Sequence, residues 1–336
     1  MKDIAAAAGV AQSTVSRILN DAPVRIHVST ETRQRVLAIA GELGYRPHPF
    51  ARALRGAPTM LLGAVVRDIT DPFFAGAVEA LSVEAKARGY SVVLGHAGAQ
   101  ADEALVLTAV LEARQCDAIV LLGDFRGERR LVEDLRNSKM RVVGLWHGTE
   151  RRGRPFPTVG VDNRAGIRAA LDHLTALGHR RIAYIGVQSF GDFEERHTAY
   201  QEYVAAAGIG PLEGYVRTVP NTTGGGEVAL TGLLALSPRP TAIVAATDTL
   251  AIGVLHAAYE HRVVVPDDLS VAGFDDIPLA AATVPALTTV KMPMSEIAAA
   301  GVELAVGDVT DLSDLPPIVF EPRLIVRGST AAVPAD

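Results

Sequence analysis

The chain has 336 residues, 49% apolar and 21% charged, with a formal net charge of −6. Those proportions are ordinary for soluble globular domains, and the length suits two or three of them at roughly 100–200 residues each. The single cysteine, Cys116, excludes an internal disulfide. No apolar run reaches the ~18–20 residues of a membrane span, and the first twenty residues lack the apolar stretch of a secretion signal, so a cytoplasmic location is expected.

The charge is unevenly placed. Residues 1–56 hold eight lysines and arginines against four acids, a net +4, which leaves −10 for the remainder. A basic head on an acidic body suggests that the head meets a polyanion. On charge alone, a solvated helical head of no special purpose is equally open. Lys2 to Ala8 is alanine-rich and predicted helical, and Gly9 breaks it with a tight turn. A second helix is predicted from Ala11 to Leu19. Its spacing puts Val15, Ile18 and Leu19 on an inward face and Gln12, Ser13, Ser16 and Arg17 on the other. Helix, glycine turn, helix is the helix-turn-helix arrangement, whose second helix enters the major groove of DNA. There Arg17 can fork onto a guanine edge or grip phosphate, and Gln12 and Ser13 suit base edges.

A third helix follows, capped by Ser29, with Glu31 in its first turn. Its expected core stripe is Val36, Ala40 and Leu43, and Gly44 stops it. In "YRPHPFARALRG", Pro47 and Pro49 end the preceding helix and Pro49 can open a new one, Phe50 to Arg55, closed by Gly56. So short a helix is unstable alone and needs a template. Arg52 and Arg55 make DNA a candidate, with Leu54 as a wedge in the minor groove. A flexible basic linker is the alternative.

The stretches "AGVAQSTVSRILN", "VSTETRQRV", "LGYRPHPFARALRG", "DPFF", "VDNRAG", "LGHRRIAYIG", "TDTLAIG", "SVAGFDD" and "PALTTVKMP" together resemble the LacI/GalR family of bacterial transcription regulators, in the same order and over nearly the whole chain. The resemblance puts Gln12, Ser13 and Arg17 where the family reads operator bases. It puts Ala51 and Leu54 in a hinge helix, with Leu54 intercalating. Two departures stand out. The chain starts at Met1 and so leaves helix 1 without the family's Ser/Thr cap, which points to an upstream start codon or a frayed first turn. The loop "NDAPVRIHVS" is longer than the family's usual one.

From Met60 the pattern alternates strand and helix. "MLLGAVV", "YSVVLGHA", "CDAIVLLG" and "RVVGLW" form one series of strands, with Cys116 as a core thiol. "TVGVD", "RIAYIG", "YVRTVP", "TAIVAAT" and "LSVAGFD" form a second. Such alternation gives parallel sheets with helices on both faces, and two series suggest two subdomains. Ligands in such sheets sit beyond the C-terminal strand ends. Standing there are Asp68, Asp71 and Phe73; Trp146 and His147; Asp162; Thr247 and Asp248; and Asp275 and Asp276. Carboxylates accept hydroxyl hydrogens and aromatic rings stack on apolar sugar faces, so the set suits a neutral polyhydroxy ligand, with Arg196 as a fork donor. Asp248 is equally suited to capping the following helix, and Asp276 to a structural partnership. Gly224–Gly226 lacks the Lys-Ser/Thr of a phosphate loop, and the nine histidines show no metal-ligand spacing. No catalytic, metal or cofactor site is expected.

The resemblance implies a body with the fold of periplasmic sugar-binding proteins and effectors that are mostly sugars, with purines in one branch. Phe73, Arg196 and Asp275 fall on its effector-contacting positions, and Asn221 aligns loosely with another. Trp146 and Thr247 replace the family's common Asp and Asn. The expected fold is an all-α helix-turn-helix head on an α/β periplasmic-binding-protein-like body of two doubly wound parallel-sheet subdomains. The head is placed at 1–46, the hinge helix or linker at 47–58 and the body at 59–330. Within the body, the N-subdomain is expected at about 59–158 and 291–319, and the C-subdomain at about 159–288 and 320–330. The expected function is a homodimeric repressor released from double-stranded operator DNA by a small-molecule effector, with no tail-assembled tetramer and no membrane partner. A ligand-strengthened co-repressor mode is the alternative. A solute-binding protein and an enzyme on the same fold are less supported.

Overall fold

Ser29 accepts a hydrogen bond from the Thr32 N–H, and the helix it caps, Thr30–Glu42, supplies one wall of a small three-helix head. The computed structural model of the chain describes residues 1–19, 28–45, 58–113, 115–125, 129–138, 140–148, 156–188, 191–209, 213–308 and 315–333. It divides into two units, Met1–Met60 and Leu61–Asp336.

In the first unit α1 (Lys2–Ala8) begins with Met1 in the cap position and no side-chain cap bond. Gly9 then turns the chain at φ +65°, a left-handed conformation that costs a side chain with Cβ energy. α2 (Gln12–Leu19) and α3 (Thr30–Glu42) complete the head. Ile4, Ala8, Val15, Ile18, Val36 and Ala40 are buried against one another, with Leu19 packed at the edge. Leu43 departs from its expected place in the core. The helix ends at Glu42, so Leu43 falls on the cap and is 55% exposed.

The second unit holds two six-stranded sheets. The first runs β11-β5-β4-β3-β1-β2, parallel throughout: β1 (Leu61–Val66), β2 (Ser91–His96), β3 (Ala118–Leu122), β4 (Arg141–Leu145), β5 (Thr158–Val161) and β11 (Ile318–Phe320). The second runs β12-β10-β9-β8-β6-β7: β6 (Ile182–Gly186), β7 (Val216–Thr218), β8 (Ala242–Ala245), β9 (Ser270–Asp275), β10 (Thr288–Lys291) and β12 (Arg323–Ile325). It is parallel except at β12, which pairs antiparallel with β10. β1 and β3 read as almost uninterrupted Val, Ile, Leu and Ala, broken only by Gly63, because helices cover both faces. β2, at the sheet edge, leaves Val93 and Leu94 exposed.

The flanking helices of the first half are α4 (Pro72–Ala87), α5 (Ala101–Ala113), α6 (Arg129–Asn137) and α11 (Met294–Val306). Those of the second are α7 (Asn163–Ala176), α8 (Asp192–Ala206), α9 (Thr223–Leu234) and α10 (Asp248–Glu260). The chain passes between the halves three times: at Asp162, between Lys291 and Met294, and between Phe320 and Arg323. The first passage corrects the sequence reading. "TVGVD" does not open the second series, because β5 bonds to β4 and β11, and the change of sheet comes at Asp162 rather than between 158 and 159. Gly224–Gly226 lie inside the first turns of α9, capped by Thr222. Cys116 is buried just before β3, and burial pushes its thiol pKa up. His179 is a buried brace bonded to Thr241, Ser270 and the Ala331 carbonyl.

Candidate functional site

On α2, Gln12, Ser13 and Arg17 are exposed and Ser16 is half-buried, opposite the buried Val15 and Ile18. This display needs only the amphipathic period, since the apolar stripe docks on α1 and α3 and the remaining face is left to solvent. Ala51, Arg52 and Leu54, expected in the hinge helix, lie outside the described residues.

In the body, each sheet reverses its strand order once, between β1 and β3 in the first and between β6 and β8 in the second. Crevices form beyond the strand ends at such points. Arg67 and Asp124 follow β1 and β3; Ala246 and Thr247 follow β8. Arg196, from α8, is buried among them. Its Nε donates to Asn163 Oδ1 at 2.9 Å, and its Nη1 donates to the Ala246 carbonyl at 2.6 Å and lies 3.4 Å from Asp275 Oδ1. Its Nη2 is 3.6 Å from Asp192 Oδ2, and the guanidinium stacks 3.8 Å from the Phe274 ring centroid. Asp275 closes β9 with a φ of 115°, a strained conformation for an aspartate. Burial raises its carboxyl well above the usual range, and the nearby Arg196 only partly offsets that.

Asp71 caps α4 by accepting from the Phe73 N–H, and burial raises its pKa too. Its other oxygen accepts from Asn221 Nδ2 at 2.8 Å, and Asn221 Oδ1 accepts from Thr247 Oγ1 at 2.7 Å. A hydrogen-bonded chain thus runs from the first half to the second. Phe73 meets Trp146 edge to face at 5.9 Å between centroids. Trp146 has φ +55° and is buried, and its indole N–H has no acceptor among the described residues. A buried donor left unpaired costs about 1–3 kcal/mol. A cavity of about 800 Å³ is lined by Phe73, Asp275, Met292 and Met294 among others, and one of about 580 Å³ by Arg67, Asp71, Phe193 and Asn221 among others.

The structure therefore brings together Asp71, Phe73, Trp146, Arg196, Asn221, Thr247 and Asp275. Two expected members stand apart. Asp248 accepts from the Ile277 N–H and from Thr289 Oγ1, which ties α10 to the second sheet, and the residue is fully buried there. It is not the cap of α10 either, because Thr247 takes that position. Burial pushes the Asp248 carboxyl up to about 7. Asp162 caps α7 at the first passage between the halves, its Oδ1 accepting from the Ala165 N–H. Asp276 pairs with Arg327 at 2.6 Å, the structural partnership expected of it.

The HTH-type transcriptional regulator GalS of Salmonella typhimurium is 32% identical over 335 residues, which cover 98% of this chain and 96% of GalS. The chain belongs to the lacI family of bacterial regulatory proteins. That family's model matches residues 1–48, and a periplasmic binding protein-like domain matches 171–330. The solved CelR–cellobiose complex, a transcriptional regulator, is 30% identical with a TM-score of 0.71, covering 97% of this chain and 98% of CelR. The lac repressor dimer bound to operator and the anti-inducer ONPF shares the fold, with a TM-score of 0.85 at 24% identity and 98% coverage of both chains. The lacI-family chain described here is thus a DNA-binding transcriptional regulator. No helix among its described residues is long and apolar enough to cross a membrane.

Sequence reasoning missed the buried charges that complete this lacI-family cleft. Arg67 Nη1 donates to Asp192 Oδ1 at 2.7 Å. Asp124 accepts from the Gly148 N–H at 2.9 Å and the Asp192 N–H at 3.2 Å, and lies 2.8 Å from His147 Nδ1. Asn163 Nδ2 donates to Glu195 Oε2 at 2.8 Å. The turn before Asp192 requires glycine, since Gly191 has φ +53° and a Cβ there would sit 2.0 Å from Asp124 Oδ2. A signal was present for Arg67 and Asp124, charged residues that follow the buried strands "LLGAVV" and "AIVLL".

Proposed function

We propose that this regulator is a homodimeric, cytoplasmic repressor that binds near-palindromic operator DNA through α2 and is released when a sugar occupies the cleft between the two sheets. The observation that carries the reading is Trp146. A buried indole N–H without an acceptor, beside Phe73, which shares a cavity wall with Asp275, suits a ligand with hydroxyl oxygens and apolar ring faces. Asp71, Asn221 and Thr247 already exchange hydrogen bonds across the cleft, and a polyol can take over those bonds one for one. The operator-bound lac repressor and the cellobiose-bound CelR support the same partners. Val93 and Leu94 on β2 and Val106 and Val110 on α5 are exposed and suit association with a second copy. The sugar is then a signal and not a substrate.

Fluorescence anisotropy on the protein's own promoter DNA, at fixed salt, tests this directly. A panel of mono- and disaccharides and nucleosides is added to the bound complex. Release by one sugar is expected. Tightening by a ligand would reverse the sign to a co-repressor, and no specific binding would remove α2 from its assigned role.

A further inference from the structure

Arg67 directly follows β1 and Asp192 opens α8, so the two belong to opposite halves of the body. Their 2.7 Å ion pair is buried, with side chains 6% and 8% exposed. The Arg67 guanidinium also lies 4.9 Å from the ring centroids of both Phe74, from the first half, and Phe193, from the second. The second oxygen of Asp192 is 3.6 Å from Arg196, and its N–H donates to Asp124 of the opposite half.

The geometry points to Arg67 and Asp192 as a cross-cleft clamp, a positioning pair that holds the body closed without ligand and, through Asp192, sets the orientation of Arg196. In an open cleft both charges are hydrated. Closing removes water from each, and the ion pair between them offsets much of that loss, alongside Arg196 near Asp192 and Asp124 and Asp71 near Arg67. A single charge left in place therefore opposes closure, while removal of both takes that opposition away. Arg196 is registered to the first half before any ligand arrives. Only this last step rests on the sugar reading of the cleft.

The test uses the full-length protein carrying Lys86→Cys on α4 and Gln201→Cys on α8, both exposed sites, while the native Cys116 is buried. The two cysteines take donor and acceptor dyes, and the labelled chain is diluted into unlabelled protein so that each assembly reports one subunit. Without ligand, Arg67→Met and Asp192→Asn should each shift energy transfer to longer separations. The double variant should return toward the parent distance, a non-additivity that a merely local packing role would not produce. Unchanged transfer in the single variants overturns the clamp, as does a double variant that opens by the sum of the two. If a single variant loses its native circular dichroism, Arg67→Gln gives the same comparison, since it removes the charge and keeps a long polar side chain. Adding cellobiose and the rest of the sugar panel separates the two ideas. Variants that open while no sugar changes the parent would keep the clamp and discard the sugar.

Discussion

The head and the body present their polar side chains in opposite ways. On α2, Gln12, Ser13 and Arg17 stand in solvent above a small apolar core. In the cleft, Asp71, Arg196 and Asp275 are buried and bonded to neighbouring protein groups. The contrast follows from the size of what each meets. A duplex cannot be enclosed, so the groups that read it must be displayed, and water holds their places until DNA arrives. A small molecule is read only when enclosed, so its readers satisfy one another until the ligand exchanges with them.

The difference can be broken most severely in the head, whose core is thin. Ile4→Ala should cost about 2–5 kcal/mol there. Operator binding should vanish while the body's calorimetric transition stays in place; a retained head would mean the core is larger than these side chains. In the body, Asp275→Ala should abolish the effector response in the anisotropy assay and leave operator binding intact. A normal response would remove Asp275 from the ligand's path. On the displayed face, Arg17→Ala should weaken operator binding by about 1–3 kcal/mol, checked by titration at fixed salt. Equal loss on operator and random DNA would make Arg17 a phosphate contact instead of a base reader.

The last prediction concerns pH. The Asp248 carboxyl titrates near 7 in the folded protein, against ~3.9 in an unfolded chain. Between those values the native state holds the extra proton, so stability should fall as pH rises from about 4 to about 7 and then level off. Asp248→Asn should flatten that part of the curve in urea titrations at successive pH values. An undiminished slope would assign the proton elsewhere.

Much of the architecture was legible because strand and helix periods are local. The glycine turn at Gly9, the Ser29 cap and the runs "LLGAVV" and "AIVLL" declare themselves within a few residues. Sheet membership does not, which is why "TVGV" was read into the wrong half: a buried strand looks the same whichever neighbour it bonds. The cleft was half legible for a related reason. The strand-end rule found Asp71, Trp146 and Asp275, but it gives no direction to a side chain, and Asp248 turns inward to Thr289. Arg67 and Asp192 are 125 residues apart, so no spacing in the sequence announces their pairing.

The three passages of the chain between the halves carry one more consequence, for genetics. β11 and β12 are consecutive, separated only by Glu321 and Pro322, yet each completes a different sheet. A premature stop codon before Ile318 strips an edge strand from both at once. A shortened gene product of that kind therefore cannot keep one half as a working remnant, and nonsense alleles anywhere between Leu61 and Ile318 should share a single phenotype in the effector response.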